Sequence, residues 1–183
     1  KELSDSFGQR GVQTFVLSNT VELLETVSQT YLSQFSEGTQ RLELSLDAGD
    51  RISRRTFLRS ETGAFRERPL ASLSGGQWRR CLLSLNLGFA NLVAQVGHFR
   101  PSMFVLDEPL THLDSTGRAD VGRVLRNLIR RNTESSSSGT FHVSTILIIL
   151  QDLAAEELEE CFDNIDQVVK ENGSSSVQLE VDG

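Results

Sequence analysis

Apolar residues recur at helical spacing from Asn19 to about Phe35, where Val21, Leu24, Val27, Tyr31, Leu32 and Phe35 share a face and Asn19 or Thr20 is the cap. The pattern predicts an amphipathic helix packed on a sheet, ended by Gly38. Ahead of it, Phe7-Gly8-Gln9-Arg10-Gly11-Val12 reads as a glycine-punctuated turn, followed by an apolar stretch to Leu17. The period then drops to two: Leu42, Leu44 and Leu46 alternate with polar neighbours, which predicts a half-buried strand over Arg41 to Leu46. A second strand is expected from Ile52 to Leu58, and residues 47–72 carry no recognisable motif.

Helical spacing returns from Gly75 to about Val96, with Ser74 as N-cap and Leu82, Leu85, Phe89, Leu92 and Val96 assigned to the core. Two short apolar runs follow, Met103 to Leu106 and Thr145 to Leu150. Their length and β-branched content predict buried strands of a parallel sheet. A helix is expected between them from about Ser115 to Arg131, then the flexible connector Ser135-Ser136-Ser137-Ser138-Gly139. An acidic helix from Leu153 to Phe162 and two strands, about Gln167 to Lys170 and Val177 to Val181 around Gly173-Ser174, close an α/β chain.

With 183 residues, 38% of them hydrophobic, the chain can bury a core of its own and reads as one compact unit. No run approaches the length of a membrane span and no signal segment opens the chain, so no membrane partner is expected. Beginning at Lys1, it reads as a fragment of something longer. Cys81 and Cys161 are too few for a disulfide framework and suit reduced thiols in an intracellular protein, with cytoplasm, nucleus and organelle undistinguished. A net charge of −7 argues against coating nucleic acid by bulk electrostatics. The charge is uneven, however. Arg51, Arg54, Arg55, Arg59, Arg66 and Arg68 fall in one stretch with few acids, either as phosphate contacts or, more commonly for such runs, as solvated strand and loop faces.

Two stretches carry candidate chemistry. Leu73-Ser74-Gly75-Gly76-Gln77 opens a helix with glycines, whose free amides and positive dipole end favour a closely approaching oxyanion such as a triphosphate tail. Taken alone it reads equally as an ordinary loop before a helix. In Phe104-Val105-Leu106-Asp107-Glu108-Pro109 two carboxylates stand at the carboxyl end of a strand, the edge where open α/β sheets bind ligands. Asp107 there can hold Mg²⁺, directly or through water, while Glu108 orients and deprotonates the attacking water. A solvated strand end is the plainer reading of each carboxylate by itself. Arg79 and Arg80, on the first turn of the helix, are either exposed helical arginines or reach a phosphate or DNA across an interface. His98, His112 and His142 have no metal-ligand partners nearby in the sequence and are read as interface, capping or surface residues.

Leu73-Ser74-Gly75-Gly76-Gln77, a helix, Phe104-Val105-Leu106-Asp107-Glu108-Pro109 and then Leu113-Asp114 together resemble the signature, Walker B and D-loop series of the ABC ATPase superfamily. The resemblance implies a P-loop NTPase-like carboxyl-terminal lobe, mainly a parallel sheet with flanking helices and peripheral antiparallel strands. Residues 1–36 would form a segment and helix next to a coiled coil, 37–72 strands, and 73–183 the signature through the closing strands. It also implies ATP and Mg²⁺ as cofactors, with the signature of one copy, Leu73 to Gln77, closing over phosphates held by the other. Leu110-Thr111-His112-Leu113-Asp114 would lie against the opposing subunit, and Asp114 can also cap the helix that follows. Phe7-Gly8-x-Arg10-Gly11-Val12, a helix containing Tyr31-Leu32 and the strand Arg41 to Leu46 look like the SbcC-type branch of chromosome-maintenance ATPases. That branch implies heads driven together by ATP to control DNA access in repair, with an SbcD-type nuclease as the usual partner.

The chain departs from the family at two places. Gln151 stands where a switch histidine usually ends the strand; its amide donates a hydrogen bond but cannot become cationic, so stabilisation of developing charge should be weaker. Nor does any Gly-x-x-x-x-Gly-Lys-Ser/Thr occur in the chain, whose lysines are Lys1 and Lys170. Half of a catalytic site is therefore expected, the rest coming from a P-loop-bearing amino-terminal lobe. SMC-like tethering, a transporter engine, and a non-hydrolysing module that dimerises on ATP remain the alternatives.

Overall fold

The computed structural model describes residues 9–47, 51–98, 101–130, 143–151, 162–171 and 173–179. Phe7-Gly8, the serine connector, His142, Cys161 and the acidic helix expected from Leu153 lie outside them. The described elements are α1 (Gln9–Phe35), β1 (Gln40–Leu46), β2 (Ile52–Arg59), β3 (Phe65–Arg68), a 3-10 turn at Leu70–Ser72, α2 (Gly75–Gly97), β4 (Met103–Asp107), α3 (Ser115–Arg130), β5 (Thr145–Ile149), β6 (Asp166–Glu171) and β7 (Ser174–Leu179). β1, β2 and β3 form an antiparallel sheet in that order, β4 and β5 pair in parallel, and β6 and β7 pair antiparallel. The fold is α/β, with a parallel sheet and antiparallel strands. No described helix is long and apolar enough to cross a membrane.

α1 is the hub of the packing. Tyr31 and Phe35 join one apolar cluster with Leu83 and Leu87 of α2, Leu106 of β4 and Val121 of α3. Val21 and Leu32 join a second with Leu42 and Leu44 of β1 and Cys81 of α2. One helix thus serves two cores, because its apolar stripe winds round its axis over 27 residues. It also protects the free edge of β1: the amides of Leu42 and Leu44 donate to Gln29 Oε1 at 2.8 Å and Glu25 Oε2 at 2.6 Å. Gly38, at φ +70°, donates its amide to Ser33 O at 3.0 Å and ends the chain's run as a helix.

Three expectations are corrected. Gln9 through Val12 are helical rather than part of a turn, because a single interior glycine costs only about 1 kcal/mol against alanine and the apolar spacing continues through Val16. Asn19 and Thr20 are accordingly interior, not caps; the Thr20 hydroxyl donates back to Val16 O at 2.8 Å. On α2, Phe89 and Val96 are exposed rather than core. The buried face instead runs through Ser84, Leu87, Gly88, Asn91 and Leu92, since α1 crosses on that side.

Gly88 is what lets α1 and α2 approach: a Cβ built there would lie 2.2 Å from Ser28 Oγ and 3.0 Å from Ser28 Cα and N. Backbone, not a movable side-chain tip, sets that limit. Gly88→Ala should therefore destabilise the fold by about 1–2 kcal/mol, the overpacking cost exceeding the helix-propensity gain, and a urea titration measures it. Cys81, buried in the second cluster, has its thiol pushed up to about 11 by burial. The unfolded thiol ionises near 8.5 (roughly), so stability is intact below that pH and falls as pH rises from there to the folded value. In a Cys161→Ser background, Cys81 should resist alkylation at pH 8 when folded and react fully in denaturant.

Candidate functional site

The first turn of α2 carries the glycines. Ser74 is its N-cap in a capping box: Gln77 N donates to Ser74 Oγ at 3.2 Å and Ser74 N donates to Gln77 Oε1 at 3.0 Å. That leaves the amides of Gly75 and Gly76 as orphan donors of the first turn. The glycines also answer a packing need. A Cβ on Gly75 would sit 3.1 Å from His112 Cβ, and one on Gly76 would sit 3.1 Å from His112 O. The loop after β4 thus presses directly on the helix start, and His112 itself adopts φ +66° to do so.

That loop begins at the carboxylate pair. Asp107 ends β4 opposite Ile149 of β5 and is exposed, while Gln151 lies two residues beyond Ile149, exposed at the same edge. Glu108 turns away from the strand at φ +52° and is held at three points. Its N–H donates to Ile149 O at 2.9 Å, and its carbonyl accepts from Arg79 Nη2 of α2. Thr111 Oγ1 donates to its Oε2 at 2.7 Å. Its other carboxylate oxygen, Oε1, is buried without a hydrogen-bond partner among the described residues. A fixed carboxylate whose other oxygen is unpartnered has the acceptor a general base needs, and a water must reach that buried oxygen for it to act.

Asp114 closes the loop and does two jobs. Its Oδ1 accepts from Gly117 N at 3.0 Å, which caps α3, and from Arg80 Nη2 at 3.0 Å. Arg79 and Arg80 are therefore not free helical arginines; each ties α2 to one end of the Glu108–Asp114 loop. Both ties join residues far apart in sequence and have no local signal in it. The structure brings Ser74 to Gln77, Glu108 and Asp114 together through these contacts, and Asp107 and Gln151 together through strand register. Among the described residues no three His, Cys, Asp or Glu side chains form a ligand set. Magnesium at phosphates commonly takes only one or two carboxylates, which Asp107 fits.

No family model matches the chain. A DNA double-strand break repair Rad50 ATPase of Saccharolobus solfataricus is 26% identical over 182 residues, covering 98% of this chain and 19% of that protein. The Rad50 ATPase of Methanocaldococcus jannaschii is 29% identical over 122 residues, covering 67% of this chain and 11% of that protein. The chain thus spans less than a fifth of the curated relatives it matches. In fold it is similar to a structure from work on ATP-driven dimerization and DNA stimulated activation of SMC ATPases, with a TM-score of 0.67 at 14% identity over 91% of this chain and 88% of the other. The Smc head domain of Pyrococcus yayanosii gives a TM-score of 0.60 at 14% identity, over 97% of this chain and 30% of that one.

The chain is similar in sequence to Rad50 ATPases and in fold to SMC ATPase heads. The double role of Asp114 separates cleanly by substitution. Asp114→Ala removes the α3 cap and should cost about 1 kcal/mol. Asp114→Asn keeps a capping oxygen and loses only the ion pair to Arg80, a largely exposed carboxylate, so the loss should stay below about 0.5 kcal/mol. Chemical denaturation of the two variants beside the parent measures both.

Proposed function

We propose that residues 1–183 form the carboxyl-terminal lobe of an SbcC- or Rad50-like head, which binds and hydrolyses ATP at a composite dimer interface to control DNA in double-strand-break repair or chromosome maintenance. The observation that carries this reading is a half-covered sheet. On one face of β4 and β5, Leu106, Phe104, Ile146 and Ile148 pack on or against the core. On the other, Met103, Val105, Leu147 and Ile149 are 55%, 49%, 49% and 47% exposed. Parallel strands with two apolar faces are built to be covered on both. Phe89, Val93 and Val96 of α2 add an exposed apolar file at i, i+4 and i+7. A P-loop-bearing amino-terminal lobe, in the same polypeptide beyond a coiled coil or as a separate chain, supplies the missing cover and the missing phosphate loop together.

In the completed head Asp107 would hold Mg²⁺, whose charge offsets that of the phosphates. Glu108, fixed by Thr111, Arg79 and Ile149, presents Oε1 to the attacking water and accepts its proton. The orphan amides of Gly75 and Gly76 bind the phosphates held by the opposing head. Gln151 donates one neutral hydrogen bond to the terminal phosphate in place of a histidine. ATP binding then holds two heads together and hydrolysis releases them, with an SbcD-type nuclease as the expected companion. The relatives' name, DNA double-strand break repair Rad50 ATPase, supports both the nucleotide and the DNA.

The test is ATP turnover by this lobe assembled with its P-loop lobe, with and without linear duplex DNA. The lobe alone should not turn ATP over. The assembled head should, faster with DNA, and Glu108→Gln should reduce turnover by roughly 100-fold or more. Turnover that survives Glu108→Gln sinks the assignment. Thr111→Val should cost about tenfold in kcat, the loss of one hydrogen bond to a charged group, with Thr111→Ser restoring it. Absence of turnover while ATP-dependent dimers still form would instead favour a non-hydrolysing clamp, for which Gln151 is the motivating residue.

A further inference from the structure

The β1–β2–β3 sheet treats its two edges differently. Along β1 the outward amides of Leu42 and Leu44 are taken by Gln29 and Glu25 of α1. β3 has no such cover: residues 65–69 are exposed, and no described strand pairs beyond it. Ser60 N donates to Ala64 O at 2.8 Å where the hairpin closes, and in an antiparallel ladder the bonded pairs recur at every second residue. Leu58 with Arg66 and Thr56 with Arg68 are therefore the bonded pairs inside the sheet. Phe65 and Glu67 turn their N–H and C=O groups outward, where no described element takes them. Pro69, at the next outward position, has no N–H and ends the ladder.

The side chains beside that edge sort by face. Arg66 and Arg68 share one face with Thr56 and Leu58, and no Asp or Glu occupies it in the three strands. Neither arginine is in an ion pair among the described residues. On the other face Glu67 is already engaged. Arg55 Nη2 lies 2.6 Å from its carboxylate, and that hydrogen bond holds the carboxyl below its usual range. Phe65, on the same face, is 42% exposed. Toward a strand laid against β3, Arg66 and Arg68 are non-hydrogen-bonded positions, where facing side chains come closest.

We propose that the free edge of β3 is a docking site for an extended acidic segment of a partner protein, which joins the sheet as a fourth strand. The outward backbone offers donors and acceptors in alternation, which a polypeptide matches and a chain of phosphates, with acceptors alone, does not. Charge sets the segment's side chains. Acids two residues apart fall opposite Arg66 and Arg68, on the face that has no carboxylate of its own. The residue between them faces Glu67 and is uncharged, and the one opposite Phe65 is apolar. Read antiparallel to β3, the matching segment is Glu-Thr-Glu-Val or a close variant. Neither ATP nor a second head takes part.

The experiment is fluorescence anisotropy of a labelled peptide, Gly-Glu-Thr-Glu-Val-Gly, titrated with the full-length protein in the absence of nucleotide. Arg66→Glu/Arg68→Glu should weaken binding by about tenfold or more. The scrambled peptide Gly-Glu-Glu-Thr-Val-Gly, whose acids fall on opposite faces of a strand, should bind about tenfold more weakly than the first. Methylating the amide nitrogens of Thr and Val, which face β3, should abolish binding, whereas methylating those of the two Glu residues should leave it in place. Equal binding of the scrambled peptide overturns the proposal, as does indifference to which amides are methylated; either means attraction by net charge alone. Absence of binding at about 1 mM protein overturns it as well. A dimer in sedimentation velocity that the peptide dissociates would make a second copy the occupant of the edge, against the proposal. The peptide comparisons use the unaltered protein, so they decide the matter even where Arg66→Glu/Arg68→Glu fails to fold.

Discussion

The site depends on one close approach: the loop from Glu108 to Asp114 lies against the first turn of α2, where a side chain on either glycine would be crowded. Gly75 and Gly76 face His112 at distances that a Cβ would crowd, and this contact sets where Arg79 and Arg80 emerge. From those positions the two arginines reach the carbonyl of Glu108 and the carboxylate of Asp114. The orphan amides at the helix start and the carboxylates at the strand end are therefore held against one another. Glycine at these positions gives access for the loop, a need that the residue type alone does not suggest.

Much of the fold is legible in the sequence because its elements are written in single periods. Ser74 and Gln77 three residues apart spell a capping box, and the apolar run ending at Asp107 spells a buried strand. β1 shows its alternation through Leu42 and Leu44. The start of α1 is hidden because Gly11 resembles a turn signal, although a single glycine in a long helix is tolerated when the flanking residues favour the helix. β3 is hidden for another reason. Its sequence, Phe65-Arg66-Glu67-Arg68, is exposed throughout and takes its structure from pairing with β2, not from burial.

The candidate site divides in the same way. Asp107, Glu108, Gly75 and Gly76 are recognisable by type and order, whereas Thr111 as the partner of Glu108, and Arg79 and Arg80 as ties between helix and loop, are visible only in three dimensions. Phe89 and Val96 show the limit of periodicity from the other side. Their helical spacing is genuine, but it lies on an exposed face of α2, so apolar pattern alone does not distinguish a core from a surface.

The side chains of Gln29 and Glu25 occupy the backbone donors along the free edge of β1. Those donors are consumed within the chain, so a visiting strand finds no ladder to join on that side. The sheet can be extended only beyond β3, the edge that bears Arg66 and Arg68. Like-charged guanidiniums there work against pairing with a second copy of the same edge.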